Sequence, residues 1–69
     1  MKTSARNQFA GTIREIMKGP VSTEVTLEIA PGMRVVAVIS SRSAEALKLS
    51  VGKPAYALIK ASSVIVAID

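Results

Sequence analysis

The segment from Val21 to Ala30 alternates its side chains more regularly than any other stretch, and it limits the folds open to this chain. Strict alternation is typical of a β-strand that buries one face and exposes the other to water. Residues Val21, Thr23, Val25, Leu27 and Ile29 share one face, and Ser22, Glu24, Thr26 and Glu28 share the other. The turn sequence Ala30-Pro31-Gly32 follows directly, so the pattern predicts a hairpin with a strand from Met33 to Ser40.

A further strand and a short helix flank this hairpin. The strand is predicted from Asn7 to Lys18, where Gly11 marks a bulge or a close approach of two backbones. The helix is predicted from Ser43 to Lys48, with Ser43 as its N-cap. Glu45 would then lie in the first turn and Lys48 at the end, and both charges would favour the helix dipole.

The last part of the chain contains two more predicted strands, Ala55 to Lys60 and Ser63 to Ile68. Five strands with one helix between the third and the fourth are the order of an OB-type barrel. The predicted fold class is therefore all-β (mainly β): a five-stranded OB-like barrel with one short helix. The length predicts a single domain over residues 1–69.

Two of the predicted strands are apolar on both faces, Val35 to Ile39 and Val64 to Ile68. A small barrel offers one core, so a second apolar face needs a different partner. The chain is also 49% hydrophobic, which is much apolar surface for one short chain to bury. We therefore expect the chain to form a homo-oligomer.

Composition narrows the possible functions. The chain has no cysteine and no histidine, which excludes disulfides and ordinary zinc sites. It also shows no paired carboxylates and no glycine-rich phosphate loop. Because catalysis needs an activated nucleophile or an acid–base pair, we expect no enzymatic activity.

Charge and hydropathy predict a chain that works in the cytoplasm. The net charge is +4, and the basic residues are scattered rather than collected in a run. A mild positive field attracts anions of any size. No apolar run approaches the length that spans a membrane, and Met1-Lys2 leads into polar residues rather than into a signal peptide. We expect no membrane partner.

Nucleic-acid binding is the alternative function, because OB barrels often bind single strands. Such surfaces stack the bases on aromatic side chains. The chain has only two aromatic residues, Phe9 at an apolar strand position and Tyr56. An OB-type nucleic-acid-binding or scaffold role is therefore the second hypothesis.

Three short segments are rich in hydrogen-bond donors and contain no carboxylate: Ser4-Ala5-Arg6, Ser40 to Ser43, and Lys60-Ala61-Ser62. A tetrahedral dianion such as molybdate offers only acceptor oxygens, so it suits a site that contains only donors. Monohydrogen phosphate would leave its proton without an acceptor in such a site. Sulfate fits the same chemistry and differs from molybdate in size.

The same segments carry a family resemblance. Thr3-Ser4-Ala5-Arg6-Asn7-Gln8, followed by Phe9-Ala10-Gly11-Thr12-Ile13, resembles the opening of the molbindin (Mop) family of small cytoplasmic molybdate-binding proteins. The resemblance continues through Val38-Ile39-Ser40-Ser41-Arg42-Ser43 and Gly52-Lys53 to Leu58-Ile59-Lys60-Ala61-Ser62, so it covers nearly the whole chain. It implies an OB-like barrel that assembles into a hexamer, as a trimer of dimers.

The resemblance also implies what is bound and where. The ligand would be molybdate, or tungstate, at sites shared between subunits, with no organic cofactor and no metal ion ligated directly by the protein. The implied anion-binding residues are Ser4, Ala5, Arg6, Ser40, Ser43, Lys60, Ala61 and Ser62. Ser43 has a second interpretation as a helix cap only. A further axial site near Lys18 to Ser22 stays unassigned, because Pro20 lacks an N–H. The implied function is intracellular storage and homeostasis of the oxyanion, with sensing for a partner left open.

Overall fold

The predicted hairpin forms one side of a four-stranded antiparallel sheet in the computed structural model, which describes all residues from Met1 to Asp69. The strands are β1 (Asn7–Lys18), β2 (Ser22–Ala30), β3 (Met33–Ser40) and β4 (Pro54–Ile59). A short helix, α1 (Ser41–Ala46), follows β3, and a 3-10 turn (Ala61–Ser63) follows β4. The sheet order is β3-β2-β1-β4, so β3 and β4 are its two edges. The mainly-β, OB-like fold is thereby confirmed, with four strands instead of five.

The core lies on the inner face of the curled sheet and is small. Ile13, Val25 and Leu27 are its buried apolar residues, and Ile13 has no exposed surface at all. Val25 and Leu27 belong to the apolar face that the alternation of β2 predicts, and Thr23 on the same face is also buried. Only 6 of 69 residues are buried, so most apolar side chains of this chain keep part of their surface in water.

A bulge in β1 lies at Arg14 and not at Gly11. The register of β1 on β2 shifts between Ile13 and Glu15, which leaves Arg14 as the extra residue. Beyond the bulge the faces are exchanged, so Ile16 packs against the core and Met17, at 62% exposure, points to the outside. Simple alternation from Ile13 would have placed Met17 on the inner face.

Gly11 instead marks a close approach of two backbones, which was the other interpretation of this residue. A Cβ atom at Gly11 would lie 2.7 Å from the carbonyl oxygen of Glu28 on β2. No side chain fits at that distance. The glycine therefore permits β1 and β2 to approach where the sheet curls.

The helix begins earlier than predicted. It spans Ser41–Ala46, and its N-cap is Ser40, whose Oγ accepts a hydrogen bond from the Ser43 N–H. Neither predicted dipole interaction occurs, because Glu45 is outside the first turn and Lys48 lies beyond the last. Ser40 takes the cap because it is the last residue of β3 and has the extended backbone that a cap requires. Ser43 as the N-cap was therefore wrong.

The fifth predicted strand, Ser63 to Ile68, does not form within the chain. After the turn at Ala61–Ser63, the remaining residues pair with no strand and are exposed, with Ile65 at 92% and Ile68 at 94%. The apolar pattern indicates that these side chains need burial. A strand also needs the edge of a sheet with which its backbone can form hydrogen bonds. This chain does not bring either of its own edges to the segment.

Candidate anion-binding site

Two of the three donor-rich segments leave the sheet at the same end. Asn7 and Ile59 form the terminal register pair of the antiparallel β1/β4 ladder. Ser4-Ala5-Arg6 directly precedes Asn7, and Lys60-Ala61-Ser62 directly follows Ile59. The sheet therefore places these two segments side by side, although more than fifty residues separate them along the chain.

The third segment lies at the other end of β1. Ser40 pairs with Ser22 on β2, and the next residue of β2, Thr23, pairs with Lys18 at the end of β1. Ser40 to Ser43 therefore lies beside the Lys18 end of a strand of 12 residues, whereas the other two segments lie at its Asn7 end. One chain brings together two of the predicted segments and separates the third from them.

In the N-terminal segment the backbone of Ala5 is already engaged. The Ala5 N–H donates to Thr3 Oγ1 at 3.2 Å, and the Ala5 carbonyl accepts from Gln8 Nε2 at 3.2 Å. Arg6 makes no hydrogen bond through its side chain and is exposed. Ser4 and Arg6 therefore have free donors, whereas the Ala5 N–H has to leave Thr3 before it can bind an anion.

The C-terminal segment is a tight turn with its first donors free. The N–H groups of Ser63 and Val64 donate back to the carbonyls of Lys60 and Ala61, at 2.8 and 3.3 Å. In a turn of this kind the first N–H groups have no partner inside the turn. The N–H of Lys60 makes no hydrogen bond among the turns and caps of this chain, and its ammonium group is exposed.

Ser40 and Ser43 form a small hydroxyl pair. Their Oγ atoms lie 2.7 Å apart, and the Ser43 N–H donates to Ser40 Oγ at 3.0 Å. Both residues are exposed at the start of α1. Two of the predicted anion ligands are thus adjacent in space and already share their hydrogen bonds.

The cations of the N-terminal and C-terminal segments, Arg6 and Lys60, are not neutralised within the chain. The two ion pairs both use Glu28, whose Oε1 lies 3.8 Å from Nε of Arg14 and 3.8 Å from Nε of Arg34. Arg6 and Lys60 have no carboxylate partner. No group of acidic, histidine or cysteine side chains is arranged to hold a metal ion. The shared end of β1 and β4 therefore combines free donors with uncompensated positive charge, which suits an anion.

Thr3, Asn7 and Gln8 flank the first donor-rich segment and bond to the chain itself. Each of these side chains makes a hydrogen bond to the backbone of the chain itself. Asn7 Nδ2, for example, donates to the Ile59 carbonyl at 3.1 Å, across 52 residues of sequence. The available signal was that the chain contains one asparagine and one glutamine, next to each other at this segment.

The two aromatic residues do not form a platform for bases. Phe9 and Ala10 are neighbours on β1, and Tyr56 pairs with Ala10 whereas Phe9 pairs with Ala57. Successive residues of a strand point to opposite faces, so the two rings lie on opposite faces of the sheet. No helix of the chain has the length and apolar character needed to cross a membrane.

An apolar seam separates the two edge strands. A cavity of about 530 Å³ lies between β3 and β4 and is lined by ten residues, all of them apolar. Its lining includes Val35, Ala37 and Ile39 of β3 and Ala57 and Ile59 of β4. The barrel is thus open along the line where a further strand would close it, while the apolar end of the chain lies outside the sheet.

Comparison with known proteins gives one family. The TOBE domain model matches residues 3–66. The chain is 52% identical, over 69 residues, to the "Molybdenum transport protein ModE" of Herbaspirillum seropedicae. The match covers 100% of this chain and 26% of that relative. It therefore spans about a quarter of the length of this relative.

Solved structures match over most or all of the chain. MopII from Clostridium pasteurianum has a TM-score of 0.91 and 37% identity, with 97% of this chain and 100% of that chain covered. The cytoplasmic molybdate-binding protein ModG, in a form with molybdate bound, has a TM-score of 0.83 and 41% identity. That match covers 88% of this chain and 43% of ModG. The predicted barrel and the resemblance to Mop proteins are confirmed.

Proposed function

The chain belongs to the TOBE domain family and to its molbindin (Mop) proteins, and we propose that it binds molybdate as a store of the oxyanion. One observation carries the proposal. Two donor-rich segments without carboxylates meet at the common end of β1 and β4, and their cations, Arg6 and Lys60, have no partner in the chain. ModG, with molybdate bound, is a relative of the same fold.

The chemistry of this end of the sheet favours an anion without a proton. Hydroxyl, backbone N–H, guanidinium and ammonium groups all donate, and no carboxylate is present to accept. Molybdate and tungstate accept from every donor, whereas monohydrogen phosphate brings a proton for which these segments offer no carboxylate. Sulfate has the same pattern of acceptors but is smaller, so it reaches fewer of the donors at once.

The complete site is shared between copies of the chain. Ser40 and Ser43 lie at the opposite end of β1 from the other proposed ligands, so they contribute only if a second copy presents them. The proposed anion-binding set remains Ser4, Ala5, Arg6, Ser40, Ser43, Lys60, Ala61 and Ser62. Within this set the Ala5 N–H exchanges its bond to Thr3 for one to the anion.

The assembly is a homo-oligomer, and the family implies a hexamer of three dimers. Two features support an oligomer. The apolar seam between β3 and β4 has no strand to cover it, and the exposed apolar end of the chain has no surface to bury it. The end of one copy, laid into the seam of another, would close the barrel and bury both surfaces. Closure of this kind also removes two exposed sheet edges.

The role is storage and homeostasis in the cytoplasm, without catalysis. ModG, a cytoplasmic binding protein, supports the compartment and the kind of activity. The ModE relative is about four times as long, so a chain of this length carries only a quarter of that protein. The opposite placement of Phe9 and Tyr56 disfavours the nucleic-acid alternative.

Calorimetric titration of the purified protein with molybdate and with phosphate, beside its native mass by light scattering, tests the function. We expect an oligomer that binds molybdate and releases heat, and little binding of phosphate at the same concentration. Equal binding of the two anions would contradict the argument that the proton of monohydrogen phosphate weakens its binding. A folded monomer that binds molybdate would contradict the shared site.

A further inference from the structure

The only two side-chain amides of the chain hold the two segments of the proposed site. Asn7 Nδ2 donates to the carbonyl of Ile59, at 3.1 Å, and Gln8 Nε2 donates to the carbonyl of Ala5, at 3.2 Å. Each accepted carbonyl belongs to the peptide unit that leads into a cation of the site. The Ala5 carbonyl shares its peptide unit with the Arg6 N–H, and the Ile59 carbonyl shares its unit with the Lys60 N–H.

The orientation of a peptide unit decides whether it attracts or repels an anion. All peptide bonds of the chain are trans, so the carbonyl and the N–H of each unit point in opposite directions. A side chain that fixes the carbonyl therefore fixes the direction of the N–H on the other side. It also keeps the negative end of the dipole away from an anion that binds the N–H.

The N–H groups of Arg6 and Lys60 belong to the two peptide units whose carbonyls the amide side chains hold. Both residues lie outside the strands, and neither N–H donates in a turn or cap of this chain. A free N–H at each cation, with its carbonyl held on the far side, presents two donors in a defined direction. Donors that are oriented before the ligand arrives bind it with less loss of entropy.

We propose that Asn7 and Gln8 are positioning residues for the anion site, Asn7 for the Lys60 N–H and Gln8 for the Arg6 N–H. This inference rests on the proposed function. The six register pairs of the β1/β4 ladder already hold the two strands together, so the side-chain bonds are not needed to join them. Gln8 is exposed and bonds a residue three positions away, where it adds little to the fold.

The two positions can be separated by nuclear magnetic resonance of the assembled protein. Addition of molybdate to the wild type should move the amide proton signals of Arg6 and Lys60 downfield. In Asn7→Ala the shift at Lys60 should be lost and the shift at Arg6 kept. In Gln8→Ala the result should be the reverse. General loosening of the structure would weaken both signals together and would not produce this crossed pattern.

Affinity gives the second measurement. Each alanine variant should bind molybdate about tenfold more weakly, which is the loss expected from one misdirected donor. Thr12→Ala is the matched control, because Thr12 lies on the same strand and its side chain makes no hydrogen bond. It should stay within about twofold of the wild type. All three variants should keep the native mass.

Three outcomes overturn the inference, and they differ in what they leave standing. A wild type without molybdate binding would remove the proposed function together with it. Wild-type binding with unchanged affinity in both amide variants would remove the positioning role and leave the function. A loss of affinity in which Arg6 and Lys60 shifts disappear together, with a lower melting temperature, would show that the amides serve stability only.

Discussion

Lys60 and Arg6 place two cations at the end of a sheet where the chain offers them no carboxylate. Exposed lysines and arginines usually need no explanation, because water solvates them well. Here the two flanking segments supply further donors and no carboxylate. At the residue scale the proposed site is therefore defined as much by the absence of Asp and Glu as by any single proposed ligand.

Lys60→Ala should weaken molybdate binding about 10- to 100-fold, because a charge-assisted hydrogen bond contributes roughly 1.5–3 kcal/mol. Ser4→Ala should cost less, since a neutral donor contributes roughly 0.5–1.5 kcal/mol. Lys53→Ala removes the same charge from a lysine outside the three segments and serves as the control. Calorimetric titration measures all three variants, and wild-type affinity in Lys60→Ala would show that the ligand was assigned wrongly.

Lys48 has a strained, left-handed backbone conformation and lies outside the proposed anion-binding set. It follows α1 with φ of 53°, and it is the only non-glycine residue with positive φ. Around it the Lys48 N–H donates to the Glu45 carbonyl and the Leu49 N–H to the Ala44 carbonyl, as in a glycine-type helix end. Glycine adopts this conformation at no steric cost.

Lys48→Gly should raise the free energy of unfolding by roughly 0.5–1 kcal/mol, as left-handed strain is relieved and part of the gain is lost to a more flexible unfolded chain. Lys48→Ala removes the same charge but keeps the Cβ atom, so it should give no gain. Urea unfolding at fixed protein concentration compares the two. A less stable glycine variant would mean that the lysine side chain matters more than its backbone.

At the scale of elements, the β1/β2 pair determines the curvature of the sheet. Its register shifts at Arg14, and its backbones approach at Gly11. The bulge turns Arg14 toward Glu28 on the outer face and exchanges the faces of the rest of β1. The curl that follows places the edges β3 and β4 on the two sides of the apolar seam.

Gly11→Ala should therefore destabilise the protein by roughly 1–3 kcal/mol, the usual cost of forcing extra volume into a packed place. The added Cβ would meet the Glu28 carbonyl oxygen at 2.7 Å, and backbone cannot move aside as a side chain does. Gly32→Ala is the comparison, because its Cβ meets nothing within 4 Å and only its positive φ resists the change. Thermal unfolding should rank Gly11→Ala as the more harmful substitution.

At the scale of the whole molecule, a single copy of the chain leaves large apolar surfaces exposed. Few residues are buried, and the exposed apolar side chains include Ile65 at 92% and Val66 at 86%. The seam between β3 and β4 is apolar throughout. Assembly of copies would combine these surfaces and would also bring Ser40 and Ser43 of one copy to the other ligands of a second.

The double substitution Ile65→Asp with Val66→Asp should dissociate the oligomer and abolish molybdate binding at the same time. Burying one large apolar side chain contributes about 1.5–3 kcal/mol, and a carboxylate in the same place is strongly unfavourable. Val51→Asp is the control, since Val51 is an exposed apolar residue in a turn. Light scattering and titration are the measurements. A variant of full native mass would exclude this part of the chain from the interface.

The sequence by itself determined the elements whose signal is local. Alternation along Val21 to Ala30 predicted β2, and the ends of β1 and β3 were predicted at the residues where they occur. Period-two patterns and Pro-Gly turns act between near neighbours, so they can be read without the fold. The three donor-rich segments were likewise found from composition, because the absence of carboxylates is visible in the sequence.

Only the tertiary structure decided how these parts are related. It placed the bulge at Arg14, gave the helix cap to Ser40, left Ser63 to Ile68 without a partner, and put Ser40 to Ser43 at the far end of β1 from the other two segments. Each of these depends on which backbone lies beside which, and that register is set by contacts between residues far apart in the chain. An apolar pattern indicates that a side chain needs burial, whereas only the fold determines which surface covers it.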